Sequence, residues 1–222
     1  MQGSQLNILV SLRKTSLVDY PGKIAAVIFI PGCNLRCPWC QNRELVLDTE
    51  KAPGAIFLEE ALEQIEKRRN VLGGVVLSGG EPTLYRDLPD LIRRIKTQGK
   101  PGLPVKLDTN GTFPAVLEEL LSRPDTRPDY IAMDLKIAPS RYAVLLSGGA
   151  AAAALAPALQ KSAALIRSSG IAHEFRSLIL PGGFFGPADR EALAPLAADS
   201  PWNFRPFRPG NCLDPAWDDT FP

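Results

Sequence analysis

Residues 31–42 read Pro31-Gly32-Cys33-Asn34-Leu35-Arg36-Cys37-Pro38-Trp39-Cys40-Gln41-Asn42. Three of the chain's four cysteines fall in this stretch, spaced C-x3-C-x2-C. Thiolates this close along one loop can face a common centre, and soft sulfur donors suit zinc or an iron–sulfur cluster. A four-iron cluster normally takes four cysteines. With only three, one iron lacks a protein ligand and can bind substrate, as the open position of a catalytic metal site does. Zinc in a closed tetrahedral site needs a fourth Cys or His. The two on offer, His173 and Cys212, lie far away in sequence. A disulfide would strand an odd cysteine in the loop.

The strand leading into the loop is Ile24–Ile30, a continuous apolar run of the kind buried on both faces of a parallel sheet. Similar short runs follow at Val75–Leu77, Val105–Leu107 and Tyr130–Asp134. A fifth strand, His173–Leu180, reads from alternation and β-branching, and Trp202–Pro206 fits a sixth. Between them, apolar residues at helical spacing predict helices over Leu58–Arg69, Leu88–Thr97, Phe113–Leu121 and Pro187–Ala198. The stretch 147–164 is rich in Gly and Ala and is interrupted by Pro157, which predicts a loose connection and then a helix over Pro157–Ser169. A short strand at Leu6–Leu12 and a turn at Pro21-Gly22 precede the core. Six alternating units predict an α/β fold with a parallel sheet, a partial (β/α)6 TIM-like barrel that falls short of the eight-fold closure.

Polar motifs follow the strand ends. Ser78-Gly79-Gly80-Glu81-Pro82 follows the second strand, where glycines let backbone approach a ligand and a carboxylate can accept from an ammonium. Taken alone it reads equally as a glycine turn before a helix. Asp108-Thr109-Asn110-Gly111 ends the third strand and reads as an Asx-type turn or a site edge. Asp134-Leu135-Lys136 ends the fourth strand, as a solvated tip or a site. Arg176 shares alternation parity with Glu174, which points it into the barrel toward a carboxylate. His173 reads as a structural or surface residue, and Cys212 as a buried free thiol. Ligands of parallel α/β sheets bind at the C-terminal strand edge, where all these motifs converge.

With 222 residues, 45% hydrophobic and 22% charged, the chain has material for one domain: a lead-in over 1–22, a core over 23–206 and a tail over 207–222. A formal net charge of +1 gives no field for nucleic acid or an anionic membrane. No apolar run reaches the roughly 18 residues of a membrane span, and the N-terminus lacks a signal-peptide layout. Clustered thiols point to a reducing cytoplasm.

The cysteine loop with Trp39 resembles the C-x3-C-x-aromatic-C loop of the radical S-adenosylmethionine (SAM) superfamily. Ser16-Leu17-Val18-Asp19-Tyr20-Pro21-Gly22-Lys23, the Gly79-Gly80-Glu81-Pro82 segment, Asp108-Thr109-Asn110-Gly111, Asp134-Leu135-Lys136, Glu174-Phe175-Arg176 and Phe204–Pro215 extend that likeness. It runs from Lys14 to about Trp217 and is thinnest between Ser147 and Ala158. Within the superfamily it points to the activating proteins of glycyl radical enzymes. The resemblance implies a [4Fe–4S] cluster on Cys33, Cys37 and Cys40. It implies SAM contacts from Trp39, Gly79, Gly80, Glu81, Asp108, Asn110, Lys136 and Arg176. It further implies a monovalent cation near Asp108, Thr109 and Asp134. The implied activity is reductive cleavage of SAM, with hydrogen abstraction from a glycine of a partner enzyme. The implied partners are anaerobic ribonucleoside-triphosphate reductase and an electron donor such as flavodoxin or ferredoxin. Two alternatives stand beside it: a radical SAM enzyme acting on a small molecule, similar to 7-carboxy-7-deazaguanine synthases, and a non-catalytic iron–sulfur or zinc module.

Overall fold

The structure is a computed structural model and describes residues 8–99, 102–146 and 152–219. An eight-stranded sheet runs in the order β3-β1-β2-β4-β5-β6-β7-β8. Its strands are β1 Leu9–Ser16, β2 Ala25–Ile30, β3 Ala55–Phe57, β4 Gly74–Gly79, β5 Val105–Thr109, β6 Tyr130–Asp134, β7 Ala172–Ile179 and β8 Trp202–Pro206. From β2 to β8 every pairing is parallel; β1 and β3 pair antiparallel at one edge. The crossovers carry α2 Leu58–Lys67, α3 Leu88–Thr97, α4 Pro114–Leu121, α5 Ala152–Ser168 and α6 Pro187–Ala197, while a short α1, Arg43–Leu47, follows the cysteine loop. This is the partial barrel of alternating strands and helices that the apolar periodicity predicts.

The two faces of the sheet have different contents because side chains alternate along each strand. The outward face joins the helices in the main core: Ile28, Ile30, Val75, Leu77, Leu107, Ile131 and Phe175 pack with Leu58, Leu62, Leu91, Ile92 and Leu117. The inward face holds a smaller apolar plug, Tyr20, Ala25, Val27 and Val76, near the N-terminal strand ends. Higher up, register carries the polar residues onto the same face. Phe29 sits opposite Ser78, Asp108 opposite Ala132, Asp134 opposite Arg176, and Arg176 opposite Asn203. Apolar filling below and charge above place any reacting ligand at the C-terminal edge.

Several boundaries differ from expectation. The first strand runs over Leu9–Ser16; residues 6 and 7 of the expected Leu6–Leu12 lie outside the described residues, as do residues 147–151 of the expected loose connection. The helix expected from Pro157 already includes Ala152, with Pro157 inside it. Pro157 removes one backbone bond near the start of the helix, and the strong propensity of the alanines on both sides carries the helix through. Strand β3 has only three residues, too few for alternation to register.

Candidate functional site

The cysteine loop leaves β2 at Ile30 and turns at Gly32, whose φ of 82° lies in the region open to glycine. The turn is tied down where Gly32 N donates to Leu45 O at 2.9 Å. Further along, Cys40 N donates to Cys37 O at 2.9 Å, and Arg36 N to Leu145 O at 2.7 Å. Arg36 Nη1 also donates to Cys33 O at 2.6 Å. Asn34 bridges to the β5 end, accepting from Asn110 Nδ2 and donating to Thr112 Oγ1, both at 2.9 Å. Asn42 Nδ2 reaches Gly79 O at 2.7 Å. Neither asparagine link was foreseen, because nothing in the spacing reports a contact across some forty to eighty residues.

Cys33, Cys37 and Cys40 are free thiols, Cys37 buried and the other two half-buried. Burial pushes the Cys37 thiol up to about 12, and it also raises Cys33; the Lys136 ammonium pulls against both shifts. Iron would have to displace those protons, since the thiolate is the ligand. Among the described residues, no three His, Cys, Asp or Glu side chains are grouped to hold a single metal ion. A four-iron cluster places each cysteine on a different iron, so its ligands need not converge on one point. Three soft donors spread around one cavity fit a cluster better than a lone zinc.

The glycine pair serves the chain itself. A Cβ on Gly80 would stand 1.9 Å from Gly32 O, and one on Gly79 would stand 2.4 Å from the Ile30 backbone. Gly80 N donates to Ile30 O and Glu81 N to Gly32 O, at 2.9 and 2.8 Å. The segment is thus laid backbone to backbone against the cysteine loop. Glu81, 1% exposed, is occupied as well. Its Oε1 accepts from the Thr83 hydroxyl, from Thr109 Oγ1 at 2.7 Å and from Thr83 N at 3.2 Å. Its Oε2 accepts from Asn110 N at 2.6 Å. Burial raises its pKa against these donors. The side chain expected to meet an ammonium braces the β4 and β5 ends while also lining the cavity.

Beyond lies an ion-pair network. Asp134 Oδ1 accepts from Arg176 Nε at 2.9 Å, and Asp134 Oδ2 from Lys136 Nζ at 3.2 Å. Asp108 pairs with buried Lys106, accepts from Ser78 Oγ at 3.1 Å, and lies 3.4 Å from Arg176 Nη1. Burial opposes the charge on Asp134, yet Arg176 and Lys136 outweigh it and hold the carboxyl at about 2. Burial likewise opposes both cations, and the aspartates raise them above their ordinary values. Lys106 was missed, although alternation puts it on the face of Asp108, and Ser78, read only as the start of the glycine motif, has its hydroxyl on Asp108.

One cavity of about 220 Å3 gathers these groups. Its lining includes Cys33, Cys37, Cys40, Trp39, Gly79, Gly80 and Glu81, then Asp108, Thr109, Asn110, Asp134, Lys136 and Arg176. Every residue singled out from the sequence as a site candidate is therefore on its wall. A second cavity, about 310 Å3, adjoins it across Trp39, Lys136 and Arg176 and adds Leu135, Ser177 and Arg205. His173 stands apart: its ring nitrogens meet Ile171 O at 2.7 Å and Ser200 Oγ at 2.9 Å, a structural role.

Residues 27–182 match the family model of the radical SAM superfamily. Over 127 residues the chain is 40% identical to a Methanocaldococcus jannaschii protein named as a glycyl-radical enzyme activating enzyme, covering 57% of this chain and 49% of that one. A 7-carboxy-7-deazaguanine synthase of Hyperthermus butylicus is 38% identical over 98 residues, 43% of this chain and 38% of that one. The chain thus spans about half the length, or less, of these curated relatives. A solved radical SAM methyltransferase from Sphaerobacter thermophilus superposes with a TM-score of 0.57 at 17% identity, over 84% of this chain and 56% of that one. At that identity the likeness speaks for the fold.

Proposed function

Since this chain belongs to the radical SAM superfamily, we propose that it activates a glycyl radical enzyme, with anaerobic ribonucleoside-triphosphate reductase as the partner. The observation that carries the reading is the single cavity in which three free cysteines meet a glycine-edged backbone and two half-buried cations, Lys136 and Arg176. The relative named as an activating enzyme supports it. When bound, a [4Fe–4S] cluster with SAM would supply the electron and the carbon radical that takes a hydrogen from glycine.

In this reading Cys33, Cys37 and Cys40 hold the cluster, and Trp39 sets their loop. The backbone at Gly79 and Gly80 meets the amino end of SAM. Lys136 and Arg176 meet its carboxylate, a charge-assisted pairing that their anchoring on Asp134 orients. A monovalent cation would sit near Asp108, Thr109 and Asp134, beside the Lys106 and Lys136 ammonium groups that pair with the two aspartates. The second cavity receives the glycine-bearing loop of the partner, and Arg205 holds that loop's backbone carbonyls. Flavodoxin or ferredoxin supplies the electron, in the cytoplasm. No helix among the described residues is long and apolar enough to cross a membrane.

The test is low-temperature electron paramagnetic resonance on the reduced, oxygen-protected protein with SAM and the candidate reductase. A glycyl doublet on the reductase, absent when its glycine is replaced by alanine, is expected. The synthase relative favours a second reading, action on a small heterocycle. No doublet with any such reductase, together with turnover of a metabolite, would select it.

A further inference from the structure

The C-terminal segment does not trail into solvent. After β8 it turns back across the cysteine loop. Leu213 N donates to Cys40 O and Asp214 N to Pro38 O, both at 2.9 Å. Gln41 Nε2 donates to Arg208 O. Asn211 Nδ2 donates to both oxygens of Glu44, at 3.0 and 2.8 Å, and its backbone takes a φ of 56°, a conformation asparagine tolerates better than most residues. The segment also fixes its own shape. Asp218 Oδ1 accepts from Gly210 N at 2.9 Å and from Cys212 N at 3.0 Å, and Asp214 Oδ1 accepts from Ala216 N at 3.0 Å.

Aromatic packing completes the contact. Trp39, which lies between two of the loop cysteines and is 4% exposed, has Trp217 and Phe184 each 5.3 Å away by ring centroid. Those two rings are 5.3 Å apart, and Phe207 stacks edge-on to Trp217 at 5.8 Å. Arg141 lies over the Phe184 ring and pairs with buried Asp189, joining this cage to the start of α6. Offset and edge-on aromatic contacts hold each other's orientation beyond the area they bury.

We propose that residues 207–218 form a strap that positions the cysteine loop around its cluster, with Trp217 and Asp218 as positioning residues. A loop with three ligands has no fourth side chain to close its shape, so rigidity must come from outside. The strap grips the loop at Pro38, Trp39, Cys40 and Gln41, the half that carries two of the ligands. Trp217 acts on the sulfurs through Trp39, and Asp218 keeps the strap folded through its backbone bonds. The proposal rests on the reading that the three cysteines carry an iron–sulfur cluster.

The experiment compares the whole chain with Trp217→Ala, Trp217→Phe and Asp218→Ala after anaerobic reconstitution. Iron loss to a chelator and the line shape of the reduced cluster are the readouts. Failure of the unaltered protein to take up a four-iron cluster would sink the cluster reading itself, and the strap with it. Given uptake, Trp217→Ala and Asp218→Ala should lose iron about 10-fold faster or more, the usual scale for outer-shell partners. Both should show a broadened spectrum, and Trp217→Phe should return to the unaltered behaviour. Should Trp217→Ala not fold, Asp218→Ala carries the comparison, since it leaves every aromatic ring in place. Unaltered iron loss and line shape in the folded alanine variants would overturn the proposal.

Discussion

Gly80 has no room for a methyl group, because the Gly32 carbonyl stands 1.9 Å from where its Cβ would lie. The glycine-rich segment is therefore required for contact between two loops as well as for the cavity edge. Gly80→Ala should destabilise by about 1–3 kcal/mol, the cost of overpacking a closed contact. Denaturant unfolding of the metal-free protein reads this, and an unchanged midpoint would contradict it. Asp134 is a second decisive residue. Its carboxyl is held at about 2, below the ordinary value. The stability it adds is full above about pH 4 and is lost as the pH falls from there toward 2. Asp134→Asn should flatten part of the acid limb of the stability curve between those values, and an identical limb would contradict the pairing with Arg176 and Lys136. At this scale the sequence was legible where residue type and parity sufficed. Arg176 points where alternation placed it, against carboxylates. The partners of Glu81 were not legible, since Thr83, Thr109 and Asn110 converge on it only after two strands align.

Among the elements, four of the six parallel strands could be read from short apolar runs that end at Gly, Pro or Asp, and the last two from alternation and spacing. Strand β3 and the true start of α5 could not. A three-residue strand carries no period, and Pro157 reads as the first residue of the helix although the helix begins before it. Pro157 is exposed within α5, so it gives up a backbone bond without visible packing in return. Pro157→Ala should stabilise by about 1 kcal/mol or more, as expected from relieving a proline inside a helix. Urea unfolding at constant slope tests it, and a loss of stability would show that Pro157 helps set the turn into α5. The tail was the least legible element. Its resemblance gave it identity, but its grip on the cysteine loop depends on Trp217 meeting Trp39 across 178 positions of sequence.

The molecule as a whole divides along the strand direction. Its lower interior is apolar and closed by Tyr20, whose ring sits against Gly74 where any Cβ would come within 2.9 Å. The upper interior is charged and opens into two adjoining cavities. Under the proposed function, the cavity at the cysteines and the cavity at Arg205 have separate tasks. Arg205→Ala should cut radical transfer to the partner about tenfold, the scale of one lost charged contact of about 1.4 kcal/mol, while slow uncoupled SAM cleavage continues at its usual rate. Equal loss of both would place Arg205 in the first cavity's chemistry instead.

Under the proposed function, three cysteines hold a four-iron cluster with one iron open to SAM. Mössbauer spectroscopy of the oxygen-protected protein, loaded with isotopically enriched iron and measured before and after SAM, tests it most directly. The expected spectrum is that of a four-iron cluster in which one site alone changes its isomer shift and quadrupole splitting when SAM is added. Four equivalent sites that ignore SAM, or a protein that takes up zinc and no iron, would contradict it.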